Sequence, residues 1–406
     1  MVAIRQELAR EPLEDPRVAL GAGLDAAAQG WGPAEGGRVA IAVGSRKIER
    51  SVELVELLAR RLRSEGCRPF IIPAMGSHGG ATAEGQERVL GSLGVSEETT
   101  RAPVESSMEV IALGETPGGA AAFIDRLAME SDAIVVINRV GPHTGYSGPV
   151  QSGVVKMLAV GLGKAAGAGS LHRHGFASGH LIGEMADLLL EKAPPVLAVA
   201  LVEDGTRSLS RLEVLAGVDI RRREPGLLEA AVSMWPGIPL DSADLLIVEE
   251  MGKDISGVGM DPLVTGRGKA FPLGGRFAAK RLVALSLTPG SLGNATGVGH
   301  ADIITERLLC AIDFESMRKN VITSGALERA RIPLAAGSDR DAVSMALESL
   351  GCPSPREAKV VRIKNTRELS EFQASIALAL ELQDREGITV GAEASEMAFD
   401  SRGTIR

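Results

Sequence analysis

Lys156 has the setting that most invites chemistry. It lies in Ser152-Gly-Val-Val-Lys156-Met-Leu-Ala-Val-Gly161, a run with no other charge. A lysine carried into apolar surroundings loses basicity, and its amine becomes a nucleophile. Histidines surround it in sequence. The chain has six, and His143, His172 and His174 fall within residues 143 to 174. Imidazole offers a proton shuttle near neutral pH and a metal ligand. His143 follows Pro142 and precedes Gly145, in a loop where a general base is often found. His78 sits in Gly76-Ser-His78-Gly-Gly80, where glycine on both flanks lets a ligand approach closely. Arg46, in Gly44-Ser-Arg46, and Lys253, in Gly252-Lys253-Asp-Ile-Ser-Gly, suit a carboxylate or phosphate contact. His172-Arg-His174 would aim both imidazoles at one face if it lay on a strand. With no cysteine or second such pair nearby, a structural zinc tetrad is excluded, and one of the two as a metal ligand stays open. His180 and His300 read as helix-entry residues.

The elements that must hold these groups read as β-turn-α units. Residues 38–43 form a buried strand, Gly44-Ser45-Arg46 a turn in which Ser45 can cap a helix over 47–65, and Gly66 stops that helix. Residues 70–75 are the next strand, followed by the His78 turn and a helix over 82–93. Residues 133–138 are a third strand and lead to His143. This is the pattern of a parallel sheet with helical crossovers. Ligands in such folds bind beyond the carboxyl ends of the strands, so Arg46, His78 and His143 should share one crevice. Residues 150–163 predict a buried helix with Lys156 on its first turns. A helix from His180 to Lys192 and a strand over 195–202 follow. After the Pro236–Pro239 linker the logic restarts, with strands at 243–248, 281–287 and 359–363 and helices at 301–312 and 338–350. Residues 1–37 read as an irregular arm.

Length and composition bound the rest. At 406 residues, with 45% hydrophobic and 24% charged residues, the chain suits two globular cores. A net charge of −8 and 3% aromatics exclude a nucleic-acid surface and disfavour an anionic membrane. The three cysteines, Cys67, Cys310 and Cys352, form no framework and fit a reducing cytoplasm. Gly161-Leu-Gly163-Lys-Ala-Ala-Gly167 has GxGxxxG spacing, with no strong strand before it and no Ser or Thr after Lys164, so it is neither a dinucleotide fingerprint nor a phosphate loop.

Taken together, Met75-Gly-Ser-His78-Gly-Gly, Asn138-Arg-Val-Gly-Pro-His143, Ser152-Gly-Val-Val-Lys156-Met-Leu-Ala-Val-Gly, and His172 sixteen positions on (172 − 156 = 16) resemble the nickel-pincer nucleotide-dependent lactate racemase family. Gly252-Lys253-Asp-Ile-Ser-Gly-Val-Gly-Met-Asp-Pro and Gly293-Asn-Ala-Thr-Gly extend the resemblance into the second half. The resemblance implies racemisation or epimerisation of a small 2-hydroxy acid. It implies a nickel-pincer nucleotide, a nicotinate-derived mononucleotide with sulfur and carbon ligands to nickel. Lys156 would tether it through a thioamide and His172 would ligate the nickel, with Ser45, Ser152 and Gly153 also at the cofactor. His78 and His143 would be the acid/base pair, and Arg46 and Lys253 would hold the substrate carboxylate or nearby polar groups. Partners implied are the substrate and the cofactor-making enzymes.

The chain departs from the family in its arginine turn, which lacks an Asp-x-Thr-Arg-Pro pattern. It carries Gly79 where arginine is common, and it has thirteen positions between His143 and Lys156 (156 − 143 = 13), more than usual. The expected architecture is α/β, with two domains of mainly parallel sheet and the active site in the cleft between them. An N-terminal domain over 1–238 carries the cofactor site, a C-terminal domain over 239–390 closes the cleft, and a tail over 391–406 packs back on the N-terminal domain. Two alternatives stand beside this reading: a nicotinamide-dependent oxidoreductase, and a non-catalytic binder of the cofactor.

Overall fold

The chain begins with a strand where the sequence predicts an irregular arm. β1 (Val2–Gln6) alternates buried and exposed residues, and helix Pro16–Ala27 buries Leu20 and Leu24. The strand's period-two pattern is only five residues long, too short to stand out in sequence. The computed structural model describes residues 1–27, 31–267, 277–351 and 357–406. Cys352 lies outside them. The residues divide into two compact units, Ala9–Trp235 and Met1–Leu8 with Pro236–Arg406.

The first unit holds β2 (Arg38–Val43), β3 (Arg68–Pro73), the hairpin strands β4 (Val110–Glu115) and β5 (Ala121–Asp125), then β6 (Ala133–Arg139), β7 (Val196–Glu203) and β8 (Leu209–Ala216). The main sheet runs in the order β3-β2-β6-β7-β8. Its first four strands are parallel, and only β8 is antiparallel, against β7. Val39, Ile41, Val135, Ile137, Leu197 and Val199 alternate onto one face, against Leu54, Val55 and Leu58 of helix Ser51–Ser64. That helix starts later than predicted. Arg50 precedes it in a left-handed conformation (φ 56°) with no side-chain cap, so Ser45 does not cap it. Buried Ile48 holds the intervening turn down.

The predicted helix over 150–163 is two short pieces. Val154–Lys156 is α-helical and continues as a π-helical turn over Met157–Gly161. The chain then bends by 101° into helix Lys164–Arg173.

The second unit holds β9 (Ser242–Met251), β10 (Ala278–Leu287), β11 (Ile303–Thr305), β12 (Leu334–Ala336), β13 (Val360–Ile363), β14 (Glu371–Ala374) and β15 (Ile388–Ala394). With β1 they form one sheet, ordered β12-β11-β10-β9-β13-β14-β1-β15. The first five are parallel, and the last three add antiparallel. Both units are therefore α/β with mainly parallel main sheets. The predicted helix at 301–312 is instead β11 followed by helix Glu306–Cys310, begun where Thr305 accepts from Leu308 N–H. The tail also differs from expectation. Ser395 N–H bonds Met1 O at 2.9 Å, and Ile405 N–H bonds Asp339 Oδ2 at 3.0 Å, all within this second unit. The reason is β1, which pairs with β15 and so draws the tail to this sheet. Among the described residues no single helix is long and apolar enough to cross a membrane.

Candidate active site

Arg46, His78 and His143 each follow the carboxyl end of a neighbouring parallel strand, β2, β3 and β6. Val43 lies in register with Pro73 and with Ile137, so the three loops leave one edge of the sheet together.

The His143 loop is tightly tied. Its main-chain N–H donates to Gln151 Oε1 at 2.8 Å, and its Nδ1 accepts from the N–H groups of Gly145 and Tyr146, both at 3.0 Å. Gly141 and Ser152 exchange backbone hydrogen bonds at 2.8 and 3.1 Å, and Asn138 Nδ2 donates to Gly153 O at 3.0 Å. Together these bonds clamp the start of the Lys156 turn onto the end of β6.

Rings connect the histidines to the lysine. Tyr146, the only tyrosine, is 1% exposed. Its ring stands 5.4 Å from Lys156 Nζ, 5.0 Å from the His143 ring and 4.9 Å from Phe176. Phe176 in turn lies 6.5 Å from both His143 and His172. The 101° bend after the π-helical turn is what returns His172 to this cluster. Sequence reasoning missed both aromatics. The signal was a single tyrosine in a chain poor in rings, placed between His143 and Lys156.

Charge at this edge is positive. The Lys156 amine is pushed down to about 7, first by burial and then by the charge of Arg46. Arg46 is itself lowered by burial and by Arg139, although the residue keeps an exposed surface. Among the described residues Arg46 has no carboxylate partner, whereas Arg139 is paired with Glu203 at 2.5 Å. A half-buried neutral amine beside an uncompensated guanidinium can attack an electrophile at neutral pH and hold an anion.

His78 is exposed, on a turn secured from below. Gln86 Nε2 donates to Gly76 O at 2.8 Å and His78 O at 3.4 Å. Gln86 Oε1 accepts from Lys164 Nζ at 3.0 Å, and Lys164 also reaches Pro73 O at 2.5 Å and Asp125 Oδ2 at 2.9 Å. Lys164 is 0% exposed and opens the helix that carries His172. It is thus a structural cation joining the His78 turn to the His172 helix, in keeping with the rejection of a phosphate loop. Gly79 has φ +65°, and a Cβ there would lie 2.5 Å from the Gly85 carbonyl carbon. This turn therefore has no room for the arginine common in the family at that position.

Other predicted residues fall differently. His172 and His174 sit at the end of a helix, where residues two apart do not share a face, and His174 is exposed. They are not a paired metal site. Among the described residues no group of three or more His, Cys, Asp or Glu could hold a metal ion. Ser45 and Ser152 make no side-chain hydrogen bond among the described residues. Gly153 makes room for a neighbour: a Cβ there would stand 2.5 Å from the Glu224 carboxyl group. Lys253 belongs to the second unit, where Nζ donates to Gly257 O at 2.6 Å and Asn320 Oδ1 at 3.0 Å. His180 does open a helix, and His300 ends a 3₁₀ turn.

Residues 33–174 match the family model of the lactate racemase N-terminal domain. Over that segment the chain is similar to the lactate racemase N-terminal domain. It contains Arg46, His78, His143, Lys156 and His172. A solved structure from Thermotoga maritima aligns over 69% of this chain and 72% of that one, at 16% identity and a TM-score of 0.50, a likeness of fold. The lactate racemase apoprotein from Thermoanaerobacterium thermosaccharolyticum aligns over 90% of this chain and 94% of its own, at 13% identity and a TM-score of 0.49. No curated protein matches.

Proposed function

We propose that this lactate racemase-like chain is a racemase or epimerase of a small 2-hydroxy acid, working with a nickel-pincer nucleotide held at Lys156 and His172. The observation that carries the reading is the placement of Lys156 within the matched segment, its Nζ 5.4 Å from the buried Tyr146 ring, in surroundings that lower the amine to about 7. Such an amine is available for a covalent tether without a separate base. His172, joined to the same ring cluster through Phe176, offers one imidazole to the metal. When bound, the cofactor supplies a hydride acceptor and donor for the substrate α-carbon.

The chain's own residues do the rest. Arg46, cationic and without a carboxylate partner among the described residues, binds the substrate carboxylate and fixes its orientation. His78 takes the hydroxyl proton. His143 enters as its hydrogen-bonding counterpart, since its Nδ1 is committed to accepting backbone N–H groups. Inversion needs the planar 2-keto acid to turn while its carboxylate stays held. The hydroxyl proton is not at the stereocentre, so the two histidines need not be equivalent.

The test is intact-mass and nickel analysis of protein co-produced with the cofactor-making enzymes. A covalent adduct that disappears in Lys156→Ala is expected, with α-hydrogen exchange of a 2-hydroxy acid that disappears in His78→Ala while the adduct remains. Protein carrying neither adduct nor nickel would overturn the reading.

A further inference from the structure

Helix Val218–Ser233 has no counterpart in the sequence reading, and it places a carboxyl group behind the reactive lysine. Glu224 is 1% exposed. Its Oε2 accepts from Val155 N–H at 2.8 Å, one residue before Lys156. Its Oε1 is buried with no hydrogen-bond partner among the described residues. At position 153, two residues before Val155, only glycine fits against it, since any Cβ there would lie within 2.6 Å of the carboxyl group. The chain thus brings a bare backbone and an acidic side chain together at the base of the Lys156 turn. Burying a carboxyl group is costly, and leaving one oxygen unsatisfied adds to the cost. A cost of this kind, spent where an ordinary Ser or Thr would cap the turn, calls for a role beyond stability.

We propose that Glu224 is a positioning residue for Lys156, fixing the turn on which the nucleophilic amine is carried. Hydrogen bonds from three residues converge there. Glu224 holds Val155 N–H, Asn138 holds Gly153 O, and Gly141 pairs with Ser152. With the turn fixed, the Lys156 side chain stays in the surroundings that lower its basicity, against Tyr146 and near Arg46. Without Glu224 the first turn frays and the amine gains water. Burial raises the Glu224 carboxyl group to about 7, against the pull of the Val155 and Val154 N–H groups and of Arg221. Either protonation state leaves an oxygen able to accept from Val155.

This inference rests on the tether reading of Lys156, and the test separates the two. The full chain without cofactor is labelled with trace acetic anhydride across pH, and modification at Lys156 is followed by peptide mass. The wild-type rate should titrate near 7. Glu224→Met keeps side-chain length and removes the acceptor. It should raise the Lys156 pKa by about one unit or more and slow labelling at pH 6 about tenfold. Glu224→Gln, which restores an acceptor, should label within about twofold of wild type. Gly153→Ala, which displaces the carboxyl group without altering charge, should act like Glu224→Met. Amide exchange at Val155 in the wild-type chain needs no variant, and protection there is expected. Rapid exchange at Val155, or a wild-type pKa near 7 that Glu224→Met leaves in place, overturns the inference alone. A wild-type Lys156 near its ordinary value overturns the tether reading, and Val155 exchange then decides the role of Glu224.

Discussion

His143 and Tyr146 are joined twice: the Tyr146 N–H donates to His143 Nδ1 at 3.0 Å, and the two rings lie 5.0 Å apart at 36°. The Gly145 N–H shares the same acceptor at 3.0 Å. Two donors aimed at Nδ1 leave no place for a proton there, so neutral His143 carries its hydrogen on Nε2. Nitrogen-15 NMR of the full chain should show Nδ1 of His143 unprotonated and Nε2 protonated. An Nδ1–H tautomer would show that the loop bonds are not formed in solution, and the donor role assigned to His143 would fall with them.

Lys156 should make stability rise with pH above neutrality. Its folded pKa is about 7, against 10.5 for an ordinary lysine amine. The unfolded chain therefore binds the proton more readily between those values. The cost is complete below pH 7 and is relieved as pH rises from 7 towards 10.5. Lys156→Met should thus stabilise the protein at pH 6, by about 2–3 kcal/mol after discounting for the residue's partial exposure. The gain should shrink by pH 10. Urea denaturation at the two values measures it, and an equal effect at both would contradict the depressed amine.

Glu224 has the opposite slope. Its folded pKa, about 7, is raised above the ordinary 4.5, so the folded chain keeps the proton longer. Its stability contribution is intact below pH 4.5 and is lost as pH rises through 7. Glu224→Gln should be near neutral at pH 4.5 and stabilising at pH 8. Thermal melts at the two values would show the crossover, and a Gln variant weaker at pH 8 than at pH 4.5 would refute it.

His300 adds an acid-side dependence in the second unit. Burial first and Arg329 second lower it to about 4 from 6.5. A depressed histidine costs nothing above pH 6.5 and costs increasingly as pH falls towards 4. His300→Gln should therefore flatten the loss of stability between pH 6.5 and pH 4. An unchanged slope would mean that the ring is solvated.

Lys164 and Asp125 make a buried pair at 2.9 Å with both side chains 0% exposed. Lys164→Met leaves an uncompensated carboxyl group and should cost about 3–5 kcal/mol. Adding Asp125→Leu should recover most of that loss, as an apolar pair of similar volume does elsewhere. Gln86→Leu keeps the pair but frees Gly76 O and His78 O. It should cost about 1–3 kcal/mol and reduce turnover more than substrate binding, because it loosens the turn carrying His78. Chemical denaturation and the kcat-against-KM split read the two effects.

The parallel core was legible because β2, β3, β6 and β7 are short apolar runs ending in glycine- or polar-rich turns. The positions of Arg46, His78 and His143 followed from it, since each simply continues a strand. What could not be read has identifiable causes. Helix Val218–Ser233 contains Pro225 followed by Gly226, a pair that reads as a turn, so the helix and Glu224 with it were hidden. The Lys156 helix looked continuous because Met157 to Gly163 are uniformly apolar or glycine, and periodicity does not show a π-helical turn or a 101° bend. The role of Lys164 was hidden because its partner Asp125 lies thirty-nine positions earlier in the chain (164 − 125 = 39). β1 declared itself only through partners at the other end of the chain.

The π-helical turn from Met157 to Gly161 also makes the segment a fixed ruler. A π turn carries one residue more than an α turn. Each residue in an α-helix rotates the chain by about 100°. Deleting one residue here would restore regular winding and swing everything downstream, including His172, out of line with Lys156. Conservative substitutions along the stretch leave that alignment intact, whereas a single-codon deletion abolishes it without changing any residue that touches substrate. Between Lys156 and His172 the gene is expected to tolerate spelling changes far better than changes of length.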